Sequence, residues 1–207
     1  MSGDWDINKL RNYGFTPKTI IDVGAAAGTN DLYEAFPNAY FVLLEPLKEY
    51  ENALREVLRR YKGRYFLNAV GNNIGDVEVN IESHDLERTS INKRSKLTSS
   101  KDEITTRKIP ITTLDVILKE NQLQSPFGLK IDTEGFELQV IQGATELLKQ
   151  TDFVIAEVSV AKRFERSYRF AEFIELMHNN GFNLYDILYE YRKEGLLMYV
   201  DCLFKKQ

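Results

Sequence analysis

A chain of 207 residues, 43% apolar and 28% charged, has enough material for one domain with a substantial core. Its net charge of −4 argues against a bulk nucleic-acid binder, which carries a basic face. A lone cysteine, Cys202, excludes an intramolecular disulfide and a cysteine-rich zinc site, and no apolar run approaches the length of a membrane-spanning helix.

Residues Met1 to Asn12 are polar and lack the apolar core of a secretory signal, so a cytoplasmic protein with Cys202 as a buried thiol is expected. Thr19 to Ala25 reads as a buried parallel strand that stops in the small residues Gly24-Ala25-Ala26-Ala27-Gly28, a tight turn into a helix. That helix covers Thr29 to Phe36, with Thr29 or Asn30 at its N-cap and Pro37-Asn38 at its end. Ala39 to Glu45 is a second strand. Lys48 to Tyr61 is a helix with Tyr50, Leu54, Val57, Leu58 and Tyr61 on one face, and Arg64 to Val70 is a third strand.

Gly75-Asp76 opens a turn, and Val77 to Ile81 alternates as a half-exposed strand does. From His84 to Lys108 the chain is polar and aperiodic, which suggests a long loop serving as a lid or substrate loop, or a disordered segment. Ile109 to Thr112 is extended again, and Thr112-x-x-Asp115 opens a helix through Glu120. Phe127 to Asp132 is the fourth core strand. A helix follows over Phe136 to Lys149, then a fifth strand over Phe153 to Val158. Phe170, Phe173, Ile174 and Met177 mark a further helix, ended by Asn180-Gly181. Asn183 to Arg192 and Met198 to Lys205 form two strands joined at Lys193-Glu194-Gly195, a hairpin. The sum is an α/β, doubly wound, mostly parallel sheet in a single domain over 1–207, with a polar loop or lid at about 84–108.

Ligands of such sheets bind outside the carboxyl ends of the strands. These tips carry Asp22 and Gly24, Glu45 and Pro46, Ala69 to Asn72, Asp132 to Gly135, and Glu157. Unpaired carboxylates converging on one rim repel each other, so a ligand or a cation is expected among them. Side chains at Gly24 and Gly28 would fill ligand space, Asp22 can hold a cation or an ammonium, and Glu45 can accept hydrogen bonds from ribose hydroxyls. For Glu45 the alternative is a solvent-exposed acid ahead of a helix that Pro46 starts. The dinucleotide fingerprint G-x-G-x-x-G is incomplete, because Ala26 stands where its middle glycine belongs, and no Gly-Lys-Ser/Thr follows. A cationic or zwitterionic nucleoside such as S-adenosylmethionine, with its ribose, ammonium and sulfonium, fits better than a pyrophosphate.

On these residues the chain resembles the FkbM family of S-adenosylmethionine-dependent methyltransferases, from Thr19 to Leu203. The resemblance is carried by Ile21-Asp22-Val23-Gly24-Ala25-Ala26-Ala27-Gly28, Glu45-Pro46, Asn68-Ala69-Val70-Gly71 and Thr113-Leu114-Asp115. Its most specific piece is Leu129-Lys130-Ile131-Asp132-Thr133-Glu134-Gly135-Phe136-Glu137, followed by Val140-Ile141-Gln142-Gly143-Ala144 and Ile155-Ala156-Glu157. It implies a seven-stranded class I methyltransferase sheet with a C-terminal antiparallel strand, and O-methylation of a hydroxyl on a sugar, polysaccharide or secondary metabolite. It also implies that Asp22, Gly24 and Gly28 hold the methionine part and Glu45 the ribose. Ala69 and Val70 would flank the adenine, and Ala25 and Pro46 belong to the same set. Family members often carry Ser-Asp after the third strand, where this chain has Gly71-Asn72, so a backbone or Asn contact would replace a charged one.

Methyl transfer to a hydroxyl needs alignment and a base or metal for the developing alkoxide. Asp132 is the first candidate, as base or metal ligand, with Glu134 and Glu157 next. Glu134 is alternatively a helix cap, and Lys130 an acid's partner within the sheet. The three acids together could hold Mg²⁺. His84 is a base arriving on closure or a solvated loop residue, and His178 is expected at the surface. Lys93, Arg94 and Lys96 either meet an anionic acceptor or are solvated. Tyr189 and Tyr191 could line an interface. A nicotinamide-dependent oxidoreductase and a non-catalytic interaction protein are the rival readings.

Overall fold

The computed structural model describes residues 5–99 and 103–207. In chain order the elements are α1 (Ile7–Asn12), β1 (Thr19–Val23), α2 (Asn30–Ala35), β2 (Tyr40–Leu44), a 3-10 turn (Lys48–Tyr50) running into α3 (Glu51–Arg60), β3 (Gly63–Phe66) and β4 (Ala69–Val70). There follow β5 (Gly75–Glu82), β6 (Asp85–Ser90), β7 (Ile104–Thr112), α4 (Leu114–Asn121), β8 (Phe127–Ile131), α5 (Glu137–Gln142) and α6 (Thr145–Leu148). The chain closes with β9 (Thr151–Ser159), α7 (Phe170–Asn179), β10 (Phe182–Lys193) and β11 (Leu196–Lys206).

Seven strands form one sheet in the order β10-β11-β9-β8-β1-β2-β3. β1 runs parallel to both β2 and β8, whereas β11 runs antiparallel to β9 and β10. This is the expected doubly wound, mostly parallel α/β sheet with one reversed strand near its C-terminal edge. The reason lies in β1, which is apolar on both faces. Ile21 and Val23 pack with Ile117 of α4, Val140 of α5, Leu147 of α6 and Phe173 of α7. Ile20 packs on the opposite face with Leu10 of α1, Leu32 of α2 and Leu54 of α3. Each such residue fully buried contributes roughly 1.5–3 kcal/mol. In register, Val23 lies opposite Leu44 and opposite Ile131, so three strand ends are brought level.

Four strands form a second sheet, in the order β4-β7-β5-β6, and here the structure departs from the sequence pattern. The expected third strand is cut in two. β3 stays in the main sheet, while Ala69 and Val70 cross over to pair with Ile111 and Thr112 of β7. Much of the polar stretch 84–108, expected as a loop, is strand: β6 pairs with β5, and β7 pairs with β5 from Gly75↔Ile111 to Glu82↔Ile104. Ser100 to Asp102, inside that stretch, lie outside the described residues, as do Met1 to Asp4 of the polar N-terminus. The second sheet has a small buried face of Val79, Ile81, Ile109 and Ile111 packed on Leu47 and Ala69, while Thr105, Thr106 and Lys108 stay at the surface.

The expected helix over Phe136 to Lys149 is also divided. A Cβ on Gly143 would lie 2.0 Å from the Gly71 carbonyl oxygen, so the backbone of the connection between α5 and α6 passes against the end of β4. The terminal hairpin turns at Glu194 and Gly195, both with positive φ. No helix among the described residues is long and apolar enough to cross a membrane. Cys202 is fully buried in β11, opposite Ala156 of β9 and Ile187 of β10. Burial, and then the neighbouring Asp201 charge, pushes its thiol up to about 12.

Candidate active site

The turn after β1 is built by the protein's own close contacts. Gly24 has φ +74°, and a Cβ there would sit 1.7 Å from the Asp132 carbonyl oxygen. Gly28 has φ +109°, and its Cβ would press on Val57 at 2.8 Å and Tyr33 at 3.3 Å. Both glycines are therefore required by neighbouring chain, not by ligand space as the sequence suggested. Between them Ala26 takes a positive φ of 44°. Its N–H donates to Glu45 Oε2 at 2.9 Å, and the Leu47 N–H donates to Glu45 Oε1 at 2.9 Å. Glu45 is thus fixed by two backbone donors, with further lone pairs left on each oxygen. Burial pushes its carboxyl up to about 7, against the opposing pull of those two N–H groups.

Glu45 lines a cavity of about 250 Å³ at the strand tips, together with Gly24, Ala25, Gly28, Pro46, Ala69, Val70 and Asp132. Asp22 does not line it. The Asp22 carboxylate is wholly buried, accepts from the Tyr33 hydroxyl at 2.5 Å and lies 3.2 Å from Lys130 Nζ. It is thereby withdrawn from the ammonium-holding role. Lys130 also donates to the Gly24 carbonyl at 2.9 Å and lies 3.6 Å from Asp132. Burial alone would lower the Lys130 pKa, but Asp22 and then Asp132 raise it above the ordinary lysine value. A charged ammonium accordingly ties together the ends of β1 and β8.

The repulsion expected on the acidic rim is relieved by the protein's own cations. Arg163 Nη2 lies 2.6 Å from Glu134, and Arg163 Nη1 donates to Glu157. Arg94 Nη2 lies 3.3 Å from Glu134, and Arg94 Nε lies 3.0 Å from Glu82 of β5. Burial pushes the Glu157 carboxyl up while Arg163 pulls it down, and Glu157 does not line the cavity. Glu134 does line it, with a positive φ of 52°, yet its carboxylate is engaged by both arginines. Of the three candidate catalytic acids, Asp132 alone has a carboxylate with no hydrogen-bond donor among the described residues, and Lys130 is the one cation within salt-bridge distance. The Mg²⁺ set expected of Asp132, Glu134 and Glu157 is not formed, since arginines occupy two of its members. No group of three or more metal-ligating side chains occurs among the described residues.

Other expectations are placed as follows. His84 and His178 are exposed, and neither lines the cavity. Lys93 and Lys96 are exposed away from it, and Arg94 is a buried clamp, not a solvated or acceptor-facing side chain. Asn72 donates to Gln142 at 2.9 Å instead of reaching the cavity, whereas Asn68 lines it. Tyr191 is exposed and stacks on Tyr199, while Tyr189 is partly buried.

The profile of the methyltransferase FkbM domain matches residues 22–184. The chain belongs to the FkbM methyltransferase family. No curated protein sequence is significantly similar to it. Among solved structures it is similar to magnesium protoporphyrin IX methyltransferase from Synechocystis with bound SAM (10% identity, TM-score 0.53, covering 97% of this chain and 76% of that one). It is also similar to the 1,6-didemethyltoxoflavin-N1-methyltransferase of Burkholderia thailandensis (13%, 0.52, 97% and 76%). A third is the N-terminal domain of EvdMO1 in the presence of SAH and D-fucose (9%, 0.53, 100% and 85%). At these identities the likeness establishes the class I, Rossmann-like fold.

Within the FkbM motif after β8, Glu137 is a site residue that the sequence does not single out. Its Oε1 accepts from the Thr133 N–H at 3.0 Å, the Thr133 hydroxyl at 3.1 Å and the Gly135 N–H at 2.9 Å, and its Oε2 accepts from Tyr168 at 2.6 Å. It therefore shapes the loop that presents Asp132 and Glu134. The Asp-x-Glu-x-x-Glu spacing was the available signal. Arg163 had none: its place depends on the loop after β9 folding back so that its Phe164 bridges Arg94.

Proposed function

We propose that this FkbM-family chain is an S-adenosylmethionine-dependent O-methyltransferase. Its acceptor is the hydroxyl of a sugar, polysaccharide or other small secondary metabolite. The observation that carries the reading is the buried Glu45 carboxylate, oriented by two backbone N–H groups in the cavity it shares with Asp132.

The residues present fit the cofactor. Glu45 offers acceptors to two ribose hydroxyls, Ala25, Pro46, Ala69 and Val70 offer apolar contact to a flat base, and the carboxylates suit a cation better than a phosphate. Gly24 and Gly28 set the turn, and Asp22 acts at one remove by anchoring Lys130 beneath it. When bound, S-adenosylmethionine supplies a methyl group on a positively charged sulfur. The cavity walls would position the acceptor hydroxyl, and Asp132 would take its proton as the methyl passes from sulfur to oxygen, the S–C bond breaking to leave S-adenosylhomocysteine. Arg94 and Arg163 leave Glu134 and Glu157 poorly placed for that task. Solved structures of similar fold include an N1-methyltransferase and a domain studied in the presence of D-fucose, so the choice of oxygen rests on Asp132 and on the sequence resemblance. The reading places the enzyme in the cytoplasm, acting on small-molecule or carbohydrate acceptors and not on nucleic acid, in keeping with a net charge of −4.

Calorimetric titration with S-adenosylhomocysteine and with NAD tests the cofactor. Binding of the first alone supports the proposal, binding of NAD alone favours an oxidoreductase, and binding of neither leaves an interaction module. In an acceptor screen with labelled cofactor, Asp132→Ala is expected to lower kcat by about 10²–10⁴-fold with S-adenosylhomocysteine affinity retained. Equal rates for the two proteins would remove Asp132 from its role.

A further inference from the structure

The cavity has walls of two origins. One is the rim of the main sheet, with Glu45 and Asp132. The other belongs to the second sheet, where Leu86, Thr89 and Ser90 of β6 and Ile91 beyond it are joined by Tyr50 from the 3-10 turn. The cofactor reading above uses the first wall and gives the second no task.

Two properties of that second wall, and the charge of the rim it faces, define what it suits. Leu86, Ile91 and Tyr50 are only partly buried, although they pack on the small core of the second sheet, so they retain apolar surface along the cavity. Thr89 Oγ1 is buried and has no hydrogen-bond partner among the described residues. A buried hydroxyl in that state carries an uncompensated desolvation cost, which rotation of the side chain toward the cavity and a polar ligand group would relieve. The rim facing this wall is acidic at Glu45 and Asp132, which have no arginine partner among the described residues, whereas Arg94 and Arg163 neutralise Glu134. Lys130 is the one basic residue lining it among the described residues, and its ammonium is committed to Asp22 and to the Gly24 carbonyl. Arg94 lies behind Glu134, where Glu82 and Glu134 take up its charge.

We propose that the β6 wall is the acceptor subsite of the methyltransferase, and that it admits neutral or cationic hydroxyl compounds with an apolar face while turning anionic ones away. The proposal rests on the methyltransferase reading and adds the place and charge class of its acceptor. Like charges brought together in a confined site oppose binding, whereas a cation is attracted to the Glu45 and Asp132 carboxylates. An aryl glycoside has the required form, with a ring for Leu86, Ile91 and Tyr50 and hydroxyls for Thr89 and Asp132.

The test uses protein saturated with S-adenosylhomocysteine and three probes of equal shape: phenyl glucoside, phenyl glucuronide and phenyl glucosaminide. Affinities are read by ligand-observed NMR. The glucoside and the glucosaminide are expected to bind, and the glucuronide to bind about tenfold more weakly or worse. Leu86→Trp should abolish probe binding and Thr89→Val should weaken it several-fold, each with unchanged affinity for S-adenosylhomocysteine. Thr89→Val is close to isosteric and carries the comparison if Leu86→Trp fails to fold. A glucuronide bound as well as the glucoside overturns the proposal, as does the absence of binding by all three probes. Variants that weaken S-adenosylhomocysteine overturn it too, since the β6 wall would then belong to the cofactor cradle. Failure of the unaltered protein to bind S-adenosylhomocysteine defeats the methyltransferase reading itself, a result distinct from each of these.

Discussion

Glu45 illustrates how a site residue can oppose stability while serving binding. Its folded pKa of about 7 lies above that of an unfolded glutamate. The native state therefore holds more protons than the unfolded chain between those values, and stability falls as pH rises through that window. The cost of burying the ionised form reaches about 3 kcal/mol above pH 7. Glu45→Gln is thus expected to raise Tm at pH 8 and to change it little at pH 5. Hydroxyl donors favour the ionised carboxylate, so S-adenosylhomocysteine should bind the unaltered protein more tightly at pH 8 than at pH 6. The Gln variant should lose that dependence along with about tenfold or more in affinity. Paired melting curves and titrations at the two pH values check both statements. Glu137 also has its pKa raised by burial, but its hydrogen bonds hold a loop together. It satisfies two backbone N–H groups and two hydroxyls from a fully buried position, so Glu137→Ala is expected to cost about 2–4 kcal/mol in denaturant unfolding, with partial recovery in Glu137→Gln. At this scale the sequence disclosed the tip residues, because strand ends and small-residue turns are local features. It did not disclose their partners. Nothing near Glu134 in the chain names Arg94 or Arg163 as the cations that neutralise it, and nothing near Asp22 names Tyr33 as its donor.

Among the elements, the joint between the second sheet and the main body depends on a few buried charges. Arg94 links Glu82 of β5 to Glu134 after β8, Asn92 donates to the Gly135 carbonyl at 2.8 Å, and the Ser95 N–H donates to the Arg163 carbonyl at 2.8 Å. Removing one partner from such a set leaves the others desolvated and under-compensated. Arg94→Ala is expected to cost about 3–5 kcal/mol, and cleavage by a limiting protease should begin within β6 and the segment following it, before the main sheet opens. Cleavage that starts in the main sheet would show that the joint is held by something other than Arg94. The strands that pack on both faces were legible, since β1 and β8 are continuous apolar runs. β7 was not, because its outer face is threonine and lysine and the apolar residues facing inward are few. A strand that buries only Ile109 and Ile111 looks like a loop until its partner β5 is known.

For the whole molecule, helices on both faces of the main sheet bury the centres of its inner strands, while the edge strand β10 stays largely exposed, and the lone thiol of Cys202 sits fully buried in the inner strand β11. The molecule thus contains its own clock for complete opening. A thiol reagent meets a side chain that is both enclosed and protonated at neutral pH, since its pKa is pushed up to about 12. Labelling of the native protein should therefore proceed only through the globally unfolded state, at a rate set by its population. Saturation with S-adenosylhomocysteine should slow that labelling by the factor one plus the ratio of ligand concentration to Kd. Mass spectrometry of the alkylated chain over time would give the opening free energy with no introduced probe, and rapid labelling without ligand dependence would mean that β11 detaches on its own.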